Sequence, residues 1–276
     1  MTIVVTGATG PLGRHVVESL LARGVPADQI LATGRAVEKI QDLGVRAQRA
    51  DYNSPEELKR AFDGAEKVLF VSSSEAGRRI AQHTNVVEAA TAAGVGLLLY
   101  TSIANAGTSD LILAGEHQAT EELIKGSGLP YAFLRNSWYY ENYDFRGAVQ
   151  NGVYGAAGNG RISAAARADY AEAAAAAVVR GAGRVYELGG PGFTLAELAA
   201  EIAKISGTEV TYTDLAPEKY QEFLLSVGLP EPAAVVLSDA DRGAAQGALE
   251  VDPADMRDLL GRPAKPVADA IRAALA

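Results

Sequence analysis

The sequence predicts an α/β fold, a doubly wound parallel sheet with a smaller, mostly helical C-terminal lobe, and three observations carry that prediction. Short β-branched or leucine-rich runs alternate with stretches of helical apolar periodicity from residue 2 to residue 188, as successive βαβ units do. The first run, Thr2-Ile-Val-Val-Thr6, breaks into a turn with glycines at 7, 10 and 13. From Thr194 onward the pattern is largely helical, punctuated by Pro217, Pro230, Pro232 and Pro253. The expected division is a main domain of residues 1–138, to which 161–190 return, and a lobe of 139–160 and 191–276.

Val4 and Val5 suit a buried parallel strand, and Pro11 has the fixed φ and missing N–H that a first helical turn tolerates. The helix is expected from Pro11 to Arg23, with Leu12, Val16, Val17, Leu20 and Leu21 at helical spacing. Gly7 allows the sharp turn, Gly10 lets backbone approach a pyrophosphate, and Gly13 lets the helix pack closely on the sheet. Free N–H groups and the positive end of the helix dipole then face the phosphates. Gly7, Thr9, Gly10, Pro11, Leu12 and Gly13 are therefore candidate cofactor contacts. Glycines also serve ordinary tight turns; strand, turn, helix and next strand within residues 2–34 are what favour dinucleotide binding.

Ile30 to Thr33 is the expected second strand, followed by Gly34 and Arg35. Folds that accept NAD place an acid at this strand end for the ribose 2′-hydroxyl, whereas an arginine nearby accommodates the 2′-phosphate of NADP. No acid stands here, so Arg35 is either a phosphate ligand selecting NADP(H) or a solvated arginine after a turn. Val45 to Arg49 forms a short third strand ending at Asp51-Tyr52, where Asp51 either accepts from an adenine amine or closes a turn. Ser54-Pro-Glu-Glu57 predicts a capped helix, with Ser54 as N-cap, Pro55 at N1 and Glu57 at N3.

Lys67 to Val71 is the fourth strand and ends in Ser72, Ser73 and Ser74, which meet pyrophosphate or ribose oxygens, cap the next helix, or do both. That helix, from Gly77 to Ala93, is expected to turn Ile80, Val86, Val87 and Ala90 inward. Arg78, Arg79 and Gln82 then face site or solvent. Gly96 to Ser102 is the fifth strand, and a helix follows from Asp110 to Lys125.

Pro130 to Arg135 is the sixth strand and leads into Asn136-Ser-Trp-Tyr-Tyr-Glu-Asn-Tyr143, which holds the one tryptophan of the chain. Aromatic faces at this strand end sandwich a flat substrate or the nicotinamide, or pack the main domain against the lobe. Asn136 is a candidate cofactor contact; Ser137, Trp138 and Tyr139 are candidate substrate contacts. Gly155 to Gly160 is expected as a loop of small residues, and Arg167-Ala-Asp169 opens an alanine-rich helix whose role is packing. Arg184 to Leu188 is a further strand, Thr194-Leu-Ala-Glu197 a capping box, and Glu209 to Thr213 a short strand.

Composition narrows the function. A net charge of −9 repels polyphosphate backbones and anionic surfaces, so neither nucleic acid nor membrane is an expected partner. There is no cysteine, which excludes disulfides, thiolate metal sites and thiol nucleophiles. His15, His83 and His117 lack metal-motif spacing, so no metal is expected. No basic-then-apolar leader precedes the first strand and no apolar run reaches membrane-span length; a soluble, cytoplasmic protein is the expectation.

Taken together, Thr6-Gly-Ala-Thr-Gly-Pro-Leu-Gly-Arg14, Ala50-Asp-Tyr52, Val71-Ser-Ser-Ser-Glu75, Gln82-His-Thr-Asn-Val-Val87, Tyr100-Thr-Ser102, Glu116-His117, Ser127 to Tyr131, Leu134 to Asn142 and Arg167-Ala-Asp-Tyr-Ala171 carry a resemblance. The chain resembles the NmrA-like branch of atypical short-chain dehydrogenases, most closely the type-2 NAD(P)H:quinone oxidoreductases, with triphenylmethane dye reductases as near relatives. The match is dense in the first half and weaker in the last third. It implies a Rossmann domain binding NADPH, no flavin, and a quinone or similar aromatic acceptor held between domain and lobe; homodimerisation is left open. Pro11 departs from the polar or larger residue expected in that turn, and Gly34 makes the end of the second strand looser.

Short-chain and extended dehydrogenases place a serine after the fifth strand and a Tyr-x-x-x-Lys pair on the next helix. Ser102 fits the serine, but Leu113 stands where the tyrosine would be and His117 where the lysine would be. No Tyr-x-x-x-Lys occurs in the chain. The catalytic candidates are therefore His117, Tyr100 and Ser102, with His117 expected to orient rather than to act as the essential acid. Two functions fit: hydride transfer from NADPH to a quinone-like acceptor, whose reduced anion needs no dedicated acid, and an NmrA-like redox sensor that binds NADP(H) without turnover. The aromatic segment favours the enzyme.

Overall fold

The computed structural model describes residues 1–75, 77–181 and 183–276. The fully buried strand β1 (Ile3–Val5) leads through the glycine turn into α1 (Pro11–Ala22), which buries Val16, Val17 and Leu20. Each such side chain contributes roughly 1.5–3 kcal/mol by leaving water. Then follow β2 (Ile30–Gly34), β3 (Arg46–Arg49), α2 (Pro55–Phe62), β4 (Lys67–Phe70), α3 (Arg79–Ala92), β5 (Leu97–Ile103), α4 (Ile112–Gly126) and β6 (Tyr131–Asn136). The chain continues through α5 (Phe145–Asn151), β7 (Val153–Gly155), α6 (Arg167–Arg180) and β8 (Val185–Leu188). It ends in α7 (Leu195–Ser206), β9 (Tyr212–Asp214), α8 (Pro217–Ser226), α9 (Glu231–Ala245), α10 (Ala254–Leu260) and α11 (Val267–Leu275).

Seven strands form one parallel sheet in the order β3-β2-β1-β4-β5-β6-β8. The strand order reverses between β1 and β4, and a ligand crevice opens outside the carboxyl ends at such a switch point. On one face α1 and α6 pack together; Ala171 and Ala173 to Ala177 are buried, small enough for close helix approach. On the other face α3 and α4 cover Phe70, Tyr100 and Phe133. A further apolar core gathers Phe145, Phe193, Leu195, Leu198, Ile202 and Ile271 beside Ile103 and Leu111.

Several local expectations need correction. Ser54 sits at the N-cap of α2, but its side chain makes no capping bond; Glu57 instead accepts from the Asp51 backbone and pairs with Arg49. Only the second capping box forms, with Thr194 accepting from Glu197 N at 3.1 Å and Glu197 accepting from Thr194 N at 2.8 Å. Ile80 is exposed, because α3 turns Arg79, Gln82 and His83 inward in its first turns to meet the loop after β4. The serines do not cap α3, which starts at Arg79 with Arg78 at its N-cap. Gly155 belongs to a strand: β7 pairs in parallel with β9, which itself starts three residues later than expected.

Candidate active site

The crevice at the switch point is a cavity of about 1030 Å³. It brings together Gly7, Thr9, Gly10, Pro11, Leu12, Gly13, Arg35, Asp51, Ser72, Ser73, Ser74, Ser102, His117, Asn136, Ser137, Trp138 and Tyr139. Tyr100 is fully buried behind His117 and does not line it.

The glycine turn is built by close contacts. Gly7 has φ +59°, a conformation that favours glycine. A Cβ on Gly13 would meet Gly7 O at 2.5 Å, so that residue serves the packing of α1 on its own turn. Gly10 is different: its Cβ would meet only Gly7 O, at 3.3 Å, leaving its other side to the cavity. Gly34 is needed by Thr9, whose hydroxyl and methyl would lie 2.5 Å from an added Cβ. The Tyr52 hydroxyl donates to Val71 O at 2.7 Å and bonds Thr6 Oγ1 at 2.5 Å, tying β1 to the end of β4.

Charge and hydrogen bonding set what each group can do. Asp51 accepts from both N and Nδ2 of Asn53 at 2.9 Å, the turn-closing arrangement, and these bonds hold its carboxyl below the usual range. Ser73 Oγ donates to Gln82 at 2.6 Å and accepts from Glu75 N, while its backbone N–H donates to His83 Nε2 at 3.1 Å. Thr120 donates to Glu116 O, so His83 donates to Thr120 from Nδ1. His83 is thus a neutral bridge with both nitrogens used, and burial pushes its pKa down to about 3. Arg35 pairs with Glu75 and Arg79 with Glu116, whereas Lys39 and Arg167 line the cavity without an ion-pair partner among the described residues. The Arg167 guanidinium stacks over Tyr139 at 5.6 Å.

At the far end, Ser102 donates to Glu121 at 2.6 Å, and Glu121 accepts a two-pronged bond from Arg135 at 2.9 and 2.7 Å. The serine's proton is thereby turned away from the cavity. His117 Nδ1 bonds the Tyr100 hydroxyl at 2.7 Å, and burial, reinforced by Arg79 and His83, lowers its pKa to about 3. Ser137 donates to Leu249 O at 2.8 Å. The Asn136 side chain donates to the Tyr139 hydroxyl at 2.9 Å, while its Oδ1 is buried without a partner. Trp138 and Leu113 line the cavity together with Pro232, Ala233, Val236 and Leu237 of α9.

Sequence reasoning missed Lys39, Glu75, Thr101, Asn142, Arg167 and the whole α9 wall. Tyr52 adjoins Asp51 and was within reach; nothing in the helical last third marks which face of α9 turns inward. No three-residue His, Asp or Glu cluster suited to a metal occurs among the described residues, and no helix among them is long and apolar enough to cross a membrane.

Switch-point topology, a glycine cradle at a helix N-terminus and an aromatic wall define a Rossmann-type dinucleotide-binding protein. Residues 7–180 match the family described as NAD(P)H-binding. Quinone oxidoreductase 2 of Escherichia coli is 46% identical over 98% of this chain and 97% of its own length. The crystal structure of an Escherichia coli NADPH-dependent quinone oxidoreductase complexed with NADPH superposes with a TM-score of 0.96 at 44% identity, covering 100% of both chains. The Citrobacter sp. triphenylmethane reductase complexed with NADP(H) gives a TM-score of 0.93 at 35% identity, over 99% of this chain and 100% of that one. The chain belongs to the NAD(P)H-binding family, in its NmrA-like branch.

Proposed function

We propose that the chain is an NADPH-dependent oxidoreductase that delivers a hydride to a quinone or similar conjugated aromatic acceptor, in the cytoplasm. The observation that carries this reading is the continuity of one cavity from the glycine cradle to the apolar wall of Leu113, Trp138 and α9, with a neutral histidine beside it. Its likeness to quinone oxidoreductase 2 supports the choice of acceptor.

The residues present fit the cofactor. Backbone approach is open at Gly10, and the buried, unpartnered Asn136 Oδ1 lacks the donor that a carboxamide would bring. In this reading Gly7, Thr9, Gly10, Pro11, Leu12 and Gly13 hold the pyrophosphate. Ser72, Ser73 and Ser74 hold ribose or phosphate oxygens, Asp51 the adenine and Arg35 the 2′-phosphate. Residues 1–138 with 161–190 form the cofactor-binding unit, and 139–160 with 191–276 the substrate-side unit.

When bound, NADPH supplies a hydride to an acceptor lying against Trp138 and Tyr139. His117 orients that acceptor: we assign the phenol of Tyr100 as the donor to Nδ1, so that the neutral ring carries its proton on Nε2, the edge left for the cavity. Ser102 can only accept there, because Glu121 takes its proton. Conjugated acceptors spread the charge they gain, so positioning supplies much of the acceleration and the final proton comes from water. Mixing the protein with NADPH and a panel of quinones, azo dyes and triphenylmethane dyes, while following nicotinamide absorbance, tests the reading; oxidation with quinones supports it.

A further inference from the structure

Arg35 follows β2 and Glu75 follows β4, the two strands that flank β1. Their side chains meet at 2.7 Å, so this ion pair spans the crevice above the end of β1, where the glycine turn lies. The other carboxylate oxygen of Glu75 accepts from Gln82 at 3.1 Å and Arg78 at 3.3 Å. Held by these two donors, Glu75 stays in place when Arg35 turns to another anion. Asp51, the second carboxylate lining this end, spends Oδ1 on Asn53 and makes no hydrogen bond to Arg35 among the described residues.

We propose that Glu75 tunes the cofactor selectivity of the site by competing with the 2′-phosphate of NADPH for Arg35. The proposal rests on the assignment of Arg35 as the phosphate ligand. NADPH must exchange Glu75 for its own phosphate at Arg35, and two anions then share one neighbourhood. NADH carries a 2′-hydroxyl and faces no such exchange. Glu75 thereby holds the preference for NADPH below what Arg35 alone would give. Arg35 is 61% exposed, so solvent screens the pair and the competition is modest.

The test is titration of NADPH and NADH against the parent, Glu75→Gln, Glu75→Ala and Arg35→Gln at one ionic strength, with circular dichroism as the check on folding. Both Glu75 variants should bind NADPH about 2- to 10-fold more tightly, with NADH affinity at the parental level. Arg35→Gln should lower the preference for NADPH. If Arg35→Gln lowers it and neither Glu75 variant raises it, the competition is refuted while the role of Arg35 stands. If Arg35→Gln leaves the preference intact, both ideas are overturned.

Discussion

Tyr100 on β5 and His117 on α4 are joined by a 2.7 Å hydrogen bond between the phenol oxygen and Nδ1, both side chains being buried. An imidazole lowered to about pKa 3 is neutral throughout the working range, and the side chain it bonds is a phenol that burial makes harder still to ionise. Neither group is a ready proton source. A general acid contributes about 10²–10⁴-fold, so His117→Ala should lower kcat/KM by less than about 100-fold. The parental pH profile should show no limb near the ordinary histidine range. A larger drop at intact NADPH affinity, with loss of such a limb, would make the histidine the donor.

Acid stability should depend on both buried histidines. Unfolded, each imidazole gains a proton near its ordinary value of about 6.5; folded, it does so only near 3. The stability they contribute is present above about pH 6.5 and is lost as pH falls, at about 1.4 kcal/mol per pH unit for each group. Asp241 works in the opposite direction, since burial raises its carboxyl to about 7 and its contribution is lost as pH rises towards that value. Urea unfolding across this range should therefore lose stability towards acid more gently in His83→Gln and more steeply in Asp241→Asn. Identical slopes in all three proteins would contradict these protonation states.

Gly10 and Gly13 should fail in different ways. Gly10→Val places its side chain towards the cavity and should abolish NADPH binding while the fold and Tm persist. Gly13→Val drives a Cβ to within 2.5 Å of Gly7 O and 2.8 Å of Ala8 Cα, and should cost roughly 1–3 kcal/mol of stability or more. Parental NADPH affinity in Gly10→Val would remove the turn from the phosphate site.

Trp138 is half-buried, between the cavity and the core that holds Phe145 and Phe193. As an acceptor contact, Trp138→Ala should raise the quinone KM or lower kcat without changing NADPH affinity. A tryptophan serving only that core would cost Tm and leave the kinetics of the folded protein unchanged.

The sheet was legible because its signals are local: β-branched runs for β1 and β2, glycine spacing for the turn, and Pro11 at the helix start. The site's near side was legible for the same reason, since switch-point residues follow strand ends in sequence. What escaped depends on long-range register. Glu75 meets Arg35 only because β4 and β2 flank β1, and Arg167 reaches the cavity only because α6 packs on α1. Ile80 faces solvent because buried polar partners, Ser73 O for Arg79 and Thr120 for His83, set the face of α3 more strongly than one isoleucine does. Ser102 fits its expected position, yet its hydroxyl is committed to Glu121, which no local pattern announces.

Two-electron reduction of a quinone by NADPH should need no redox group beyond the nicotinamide. Anaerobic mixing of the purified protein with limiting NADPH and excess quinone, with no flavin or metal added, tests it most directly. One hydroquinone should form for each NADPH consumed, at a rate that falls in Trp138→Ala and vanishes in Gly10→Val. Tight NADPH binding with no oxidation of the nicotinamide by any quinone would contradict it and leave a cofactor-binding protein without turnover.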